Sequence, residues 1–186
     1  MCGIVGYIGL KKARPILIEG LKRLEYRGYD SAGLAVLEGH SLSITRSVGR
    51  ITALESKLGP EGGDATIGIA HTRWATHGAP TEHNAHPHVS DDGRIALVHN
   101  GIIENYRALS TFLAQQHITC RTETDTEILA LLIGHFYEGD LEQAVRNALL
   151  QVQGTYGIAV IAADEPDRIV VARKGSPLIL GIGDNE

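Results

Sequence analysis

Apolar and polar positions along the chain fall into blocks of two different periods. Residues 3–8, GIVGYI, are a short apolar run of the kind that forms a buried strand. Ala13, Ile16, Leu17, Leu21 and Leu24 then recur at helical spacing with Lys and Arg between them, and Pro15 sits early, where a helix tolerates it. Gly28 and Gly33 bracket a predicted loop. Residues 34–37 and 42–45 predict a hairpin across Glu38-Gly39-His40, and residues 51–58 are a short amphipathic stretch. A turn-rich connector at 59–64, too short for a domain linker, leads to a predicted strand at 67–70. Residues 72–89 are rich in His, Thr, Gly and Pro and have no period, which predicts a long loop; a loop of that size in a compact domain is usually functional.

The second half continues in blocks. Residues 95–98 predict a strand ending at His99-Asn100-Gly101. Helices are predicted over 103–112, 126–136 and 141–152, and closing strands over 155–162, 168–172 and 178–182. Strands cluster with strands and helices with helices, so the pattern argues for layered sheet and helix rather than alternating βαβ units. No internal repeat is visible. The apolar pattern stops at Gly183-Asp184-Asn185-Glu186, so residues 1–186 read as one domain excised from a longer chain.

Composition narrows the classes. A chain of 186 residues with 43% hydrophobic and 21% charged positions has the make-up of one ordinary globular domain. A net charge of −5 with no Lys/Arg run gives no footing for nucleic acid or a membrane surface. No apolar stretch approaches the ~20 residues of a membrane span, and the start lacks the basic and apolar regions of a signal peptide, so the expected location is cytoplasmic. The two cysteines, Cys2 and Cys120, form no disulfide framework and no CxxC motif.

The chemistry begins at Cys2. Removing Met1 would leave a residue with both a thiol and a free α-amine. An ordinary thiol has a pKa of ~8.5 and an ordinary α-amine one of roughly 7.7–8.0, so the amine is neutral often enough to take the thiol proton, directly or through water. That combines a nucleophile and its base in one residue. The plain alternative is a small apolar residue opening a buried strand. If Met1 stayed in place, the peptide N–H of Cys2 would be no base.

A thiol attacking an acyl centre builds an oxyanion, which needs preorganised donors. The Asn100 side-chain amide and the Gly101 backbone N–H are a suitable pair, although Asn-Gly is also a common hairpin turn. The segment after it reads as a helix, not as a returning strand. Thr124 and Glu127 have capping-box spacing around Asp125, which either decorates a helix N-terminus or receives a substrate ammonium. Arg73 in the predicted loop offers a planar fork for a carboxylate. Arg and Asp converging near a thiol would grip an α-amino acid by both ends, but spacing alone does not bring them together. Six of the nine histidines lie between His71 and His99 in spacings that match no metal-ligand pattern. A polar substrate-binding loop, with Gly78 as its hinge, is the better reading.

Together these stretches resemble a known family. Cys2-Gly3-Ile4-Val5-Gly6 with Arg27-Gly28-Tyr29-Asp30-Ser31 is similar to the class II glutamine amidotransferases, which are N-terminal nucleophile hydrolases. Within them, Glu25-Tyr26-Arg27-Gly28-Tyr29-Asp30-Ser31-Ala32-Gly33, His71-Thr72-Arg73-Trp74-Ala75-Thr76-His77-Gly78 and Asn84-Ala85-His86-Pro87-His88 resemble the glutaminase domains of glucosamine-6-phosphate synthases. So do His99-Asn100-Gly101-Ile102-Ile103-Glu104-Asn105 and Glu123-Thr124-Asp125-Thr126-Glu127. The amidophosphoribosyltransferase and asparagine synthetase branches typically have His-Arg-Gly where this chain has Tyr26-Arg27-Gly28. The likeness spans essentially the whole chain, with no departure at a motif position.

The resemblance implies an α+β fold, a four-layer αββα sandwich, and hydrolysis of the glutamine side-chain amide to glutamate and ammonia. It implies Cys2 as nucleophile, Asn100 and Gly101 as the oxyanion site, and Arg73 and Asp125 as holders of the substrate carboxylate and ammonium. Thr76 and His77 would line the glutamine site, Trp74 would belong to a mobile loop closing over it, and Arg27 would help to order the N-terminus. No cofactor and no metal are expected. In the family, C-terminal sugar-isomerase domains absent from this chain pass the ammonia to fructose 6-phosphate, and the full-length form is expected to be a homodimer. The competing class is a non-catalytic glutamine-binding module. Such a module would be expected to lack Cys2, Asn100, Arg73 or Asp125, and all four are present.

Overall fold

The computed structural model describes residues 2–58, 63–75 and 78–186. Among these, the strands form two four-stranded antiparallel sheets. The first sheet has the order β1–β4–β2–β3, from β1 (Gly3–Ile8), β4 (Ile67–Arg73), β2 (Ser31–Glu38) and β3 (Ser41–Val48). The second runs β5–β6–β7–β8, from β5 (His88–Val89), β6 (Ile95–Ile103), β7 (Gly154–Ala162) and β8 (Val170–Lys174).

Strand alternation sorts the apolar side chains into three cores. Leu34 and Val36 of β2 and Ala70 of β4 face α1 (Ala13–Leu24) and α2 (Ile51–Leu58), against Leu17, Leu21 and Leu54. Ile95 and Leu97 of β6 and Ile158 and Val160 of β7 face α3 (Tyr106–Gln115), α4 (Asp125–His135) and α5 (Leu141–Leu150). The intervening positions, Ala35, Ile67, Ile69, Ala96, Val98, Ala159 and Ile161, meet between the sheets. Period-two alternation with both faces buried therefore produces helix, sheet, sheet, helix: the expected four-layer αββα sandwich.

Helix α4 lies deepest. Its central residues Leu129, Ala130, Leu132 and Ile133 are wholly buried, so its apolar surface runs round the helix and not along one stripe. Thr124 caps it, accepting a hydrogen bond from the Glu127 N–H at 3.2 Å. The return arm of the expected capping box is displaced: the Glu127 carboxylate accepts from the N–H groups of Arg121 and Thr122 at 2.7–3.0 Å. It thereby fixes the turn leading into Asp125.

Several boundaries differ from the sequence expectation. Gly33 lies inside β2 instead of closing a loop. A Cβ there would collide with the backbone oxygen of His86, so the glycine admits the loop before β5. Strand β4 continues through Arg73, which shortens the expected long loop at both ends once β5 is counted. Strand β6 runs straight through His99-Asn100-Gly101 to Ile103, paired with β7 as far as Gly154, and α3 starts only at Tyr106. Gly101, at φ +139°, serves a close approach to the Thr155 backbone oxygen, not a turn.

The strand expected over 178–182 does not form. The ladder ends where Gly175 turns to φ +82° and keeps a single bridge to Tyr156. The following Ile179, Leu180 and Ile182 are 78–93% exposed and join neither sheet. The connector at 59–62 lies outside the described residues.

Replacing Gly33 by Ala should destabilise the protein by about 1–3 kcal/mol, because the new methyl meets backbone and not a yielding side chain. Denaturant unfolding of the variant against the parent measures this.

Candidate active site

Alternation also decides which polar groups meet. On β1, Ile4 and Ile8 face the other sheet, so Cys2, immediately before the strand, lies on that same face. On β4, Ile67 and Ile69 face between the sheets, and His71 and Arg73 follow in step. On β6, Ala96 and Val98 do so, and Asn100 is next. Three separate strands thus deliver a thiol, an imidazole, a guanidinium and a carboxamide to one end of the inter-sheet layer.

Cys2, Arg73 and Asn100 line a cavity of about 1390 Å³, and His71 is buried beside Asn100. Cys2, Arg27, Arg73 and Trp74 come to it from the first sheet and its turns, and Asn100, Gly101 and Asp125 from the second sheet and α4. Sequence spacing could not bring Arg73 and Asp125 together; the fold does. Thr76 and His77 lie outside the described residues. The cavity continues along β1 to the exposed segment after β8, whose end is tied back by Glu186 to Lys11 Nζ at 2.9 Å and Tyr7 OH at 3.0 Å.

The thiol is held from one side by backbone. The Trp74 N–H donates to Cys2 Sγ at 3.2 Å, and the Trp74 carbonyl lies 3.6 Å from the sulfur. The opposing sheet reaches the same residue, since Asn100 Nδ2 donates to the Cys2 carbonyl at 3.5 Å. The Trp74 indole is 54% exposed and rests over Gly28, where a Cβ would come within 3.0 Å of the ring. Asp30, which the sequence left without a role, sets this turn: its carboxylate accepts the Ala75 N–H at 2.5 Å, and its own N–H donates to the Arg73 carbonyl at 2.8 Å.

Opposite charges, Asp125 and Arg73, both line the cavity. Asp125 is the first residue of α4 and is 6% exposed. Its Oδ2 accepts from the Ile103 N–H at 2.8 Å, and the helix N-terminus favours the anion. Arg73 is 4% exposed, with Nη1 donating to the Ala79 carbonyl at 3.4 Å. Asn84 joins the two sides. Its Nδ2 donates to the Ala79 carbonyl at 3.0 Å and to Glu123 Oε2 at 2.9 Å, while the Glu123 N–H donates to Asn84 Oδ1 at 3.2 Å. The hydrogen bond from Asn84 holds the Glu123 carboxyl below its ordinary pKa. Gly78, the expected hinge, has φ +75° and packs on this pair.

The clustered histidines are buried polar structure. His71 and His86 stack with centroids 4.3 Å apart, and His86 meets His88 edge-on at 5.1 Å. His88 Nε2 bonds Thr124 Oγ1 at 3.0 Å, and His99 Nδ1 bonds Thr126 Oγ1 at 3.0 Å. Burial pushes His71 down to about 3 and takes His86 and His88 well below the ordinary histidine value. His99 is lowered too, again first by burial, with Asp125 pulling the other way. Among the described residues no group of three or more His, Cys, Asp or Glu is placed to hold a metal ion. The sequence reads this histidine-rich stretch as a polar substrate-binding loop, whereas His71, His86, His88 and His99 are buried within the fold.

Residues 71–183 match the family described as the glutamine amidotransferase domain, and the chain belongs to that family. It has the N-terminal nucleophile hydrolase type of αββα fold. Among curated relatives, the glutamine–fructose-6-phosphate aminotransferase [isomerizing] of Clostridium tetani is 53% identical over 186 residues, which is all of this chain and 31% of the relative. The protein of the same name from Chlorobaculum tepidum is 55% identical over 193 residues, again 31% of its length. The chain therefore spans about a third of the curated relatives it matches. Among solved structures, glutamine phosphoribosylpyrophosphate amidotransferase from B. subtilis, complexed with ADP and GMP, superposes with a TM-score of 0.78 at 27% identity. That likeness covers 93% of this chain and 37% of the other.

The buried histidines make stability pH-dependent. Each binds a proton in the unfolded chain below about pH 6.5 but not in the folded one. Stability is therefore full above that pH and falls as the pH drops through it. For His71, held at about 3, about 1 kcal/mol should be lost between pH 6 and pH 5, and His86 and His88 add to the loss in the same direction. Denaturant unfolding at the two pH values measures this.

Proposed function

We propose that this chain hydrolyses the side-chain amide of L-glutamine to glutamate and ammonia, with Cys2 as nucleophile. The observation that carries the reading is the convergence on one cavity of Cys2, just before β1, with Arg73 of β4, Asn100 of β6 and Asp125 of α4. Arg73 takes the α-carboxylate through its fork, and Asp125 takes the α-ammonium. An amino acid held by both ends leaves its side chain to reach the thiol, the kind of positioning that lowers an entropic barrier.

Once Met1 is removed, the Cys2 α-amine accepts the thiol proton. Sγ attacks the side-chain carbonyl carbon, and the electrons move onto the amide oxygen. Asn100 Nδ2 and the Gly101 N–H stabilise that oxyanion. The oxyanion collapses, the C–N bond breaks, and ammonia leaves with the proton held by the amine. Water then attacks the thioester, releases glutamate and restores the thiol. No step requires a cofactor.

In the intact protein, the ammonia converts fructose 6-phosphate to glucosamine 6-phosphate on C-terminal isomerase domains outside this chain. Support for that acceptor comes from relatives that bear the name and are about three times as long. A cytoplasmic location goes with this reading, and a homodimer of the full-length form is carried over from the family alone.

Cys2→Ala should abolish glutamate release while glutamine still binds, as isothermal calorimetry and a coupled glutamate assay will measure. Arg73→Lys should leave kcat within a few-fold and raise KM for glutamine about 10- to 100-fold, from the loss of one bidentate, charge-assisted pair. Steady-state kinetics measures both constants.

A further inference from the structure

The oxyanion site depends on which way the Asn100 carboxamide points. Rotated by half a turn, it would set a carbonyl oxygen where negative charge develops. Asn100 lies within a strand, with its side chain between the sheets, and one contact on its oxygen separates the two orientations. His71 Nε2 lies 2.8 Å from Asn100 Oδ1.

His71 is wholly buried on β4, paired with Ile4 of β1 and Gly33 of β2 on either side. Its ring is backed by that of His86, so it has little freedom to turn. Burial keeps it neutral, which leaves one ring N–H. Nδ1 is buried with no hydrogen-bond partner, while Nε2 faces an oxygen that can only accept. The proton therefore sits on Nε2. Reversing the amide would bring Oδ1 against the Cys2 carbonyl oxygen, which Nδ2 now meets at 3.5 Å, and two acceptors would face each other.

We infer that His71 is the positioning residue of the oxyanion site: its Nε2–H, donated to Asn100 Oδ1, pins the carboxamide so that the Nδ2 hydrogens face the carbonyl under attack by Cys2. Strand β4 then serves both ends of the substrate. Arg73 holds the carboxylate, and His71, two residues earlier on the same face, holds the group that meets the reacting oxygen. The inference rests on the reading of Asn100 as an oxyanion donor.

The test compares the intact, Met1-free protein with His71→Phe, His71→Gln, Asn100→Ala and the double variant His71→Phe/Asn100→Ala. His71→Phe keeps a flat apolar ring but removes the donor, and glutaminase kcat should fall about 10- to 100-fold with KM within about two-fold, less than the ~10²–10³ for losing an oxyanion donor outright. His71→Gln restores an N–H donor and should recover most of that loss. In the Asn100→Ala background, His71→Phe should cost nothing further. Nitrogen-15 NMR of the parent at neutral pH should find His71 protonated on Nε2, and this measurement decides if the Phe variant fails to fold.

The inference is overturned if His71→Phe keeps kcat within two-fold, if its loss persists in the Asn100→Ala background, or if the parent carries the proton on Nδ1. If Asn100→Ala itself leaves kcat unchanged, the oxyanion reading falls and takes this inference with it. A loss in Asn100→Ala with none in His71→Phe rejects the inference alone.

Discussion

The antiparallel pairing of β1 with β4 is the constraint on which the site depends. Gly3 lies opposite Thr72, so the residue before the strand is set beside Arg73 and Trp74 at the end of β4. A chain end is ordinarily the least ordered part of a domain. Here it is the first rung of a ladder continuing to Ile8 and Ile67. Once the ladder is formed, alternation leaves Cys2 facing the second sheet, and packing of Ile4 and Ile8 against it sets the separation. A slip of one residue would turn the thiol towards the helices.

The second sheet answers with a strand carried past its apparent end. Because β6 stays paired with β7 through Gly101, Asn100 has a fixed backbone and its side chain a fixed direction. The polar groups around it are satisfied largely by protein. The Glu127 carboxylate accepts three backbone N–H bonds to two residues of the turn before Asp125, and Asp30 and Asn84 hold the chain before and after residues 76–77. Low exposure makes each of these hydrogen bonds costly to lose. The same low exposure keeps the histidines neutral, so the inter-sheet layer carries polar groups without unpaired buried charge from them.

Much of this was legible in the sequence. Period-two and helical runs placed nearly every element, and their blocks gave the layered fold. The chemistry of Cys2, Asn100, Gly101, Arg73 and Asp125 could be proposed from residue types, and the family resemblance joined them. What misled was local turn chemistry. Residues 95–98 read as a strand ending at His99-Asn100-Gly101, with an Asn-Gly turn as one alternative, but Gly101 is needed for the close approach of Thr155, and pairing with β7 carries the strand on to Ile103. Gly33 misled for the same reason: its glycine serves a long-range contact with the chain at His86. The apolar run at 178–182 read as a strand because an apolar run does not itself show whether it joins a sheet. His71 read as part of a polar substrate-binding loop because its contact with Asn100 is made 29 residues away on another sheet.

The central claim is that Cys2 is a nucleophile seated in a glutamine site. Intact-mass measurement before and after treatment with a glutamine-analogue diazoketone tests it most directly. The account predicts a starting mass lacking Met1, one adduct, and its location on Cys2, with excess glutamine protecting against it. Folded, Met1-free protein that takes no adduct, or takes it on Cys120 instead, would contradict the account.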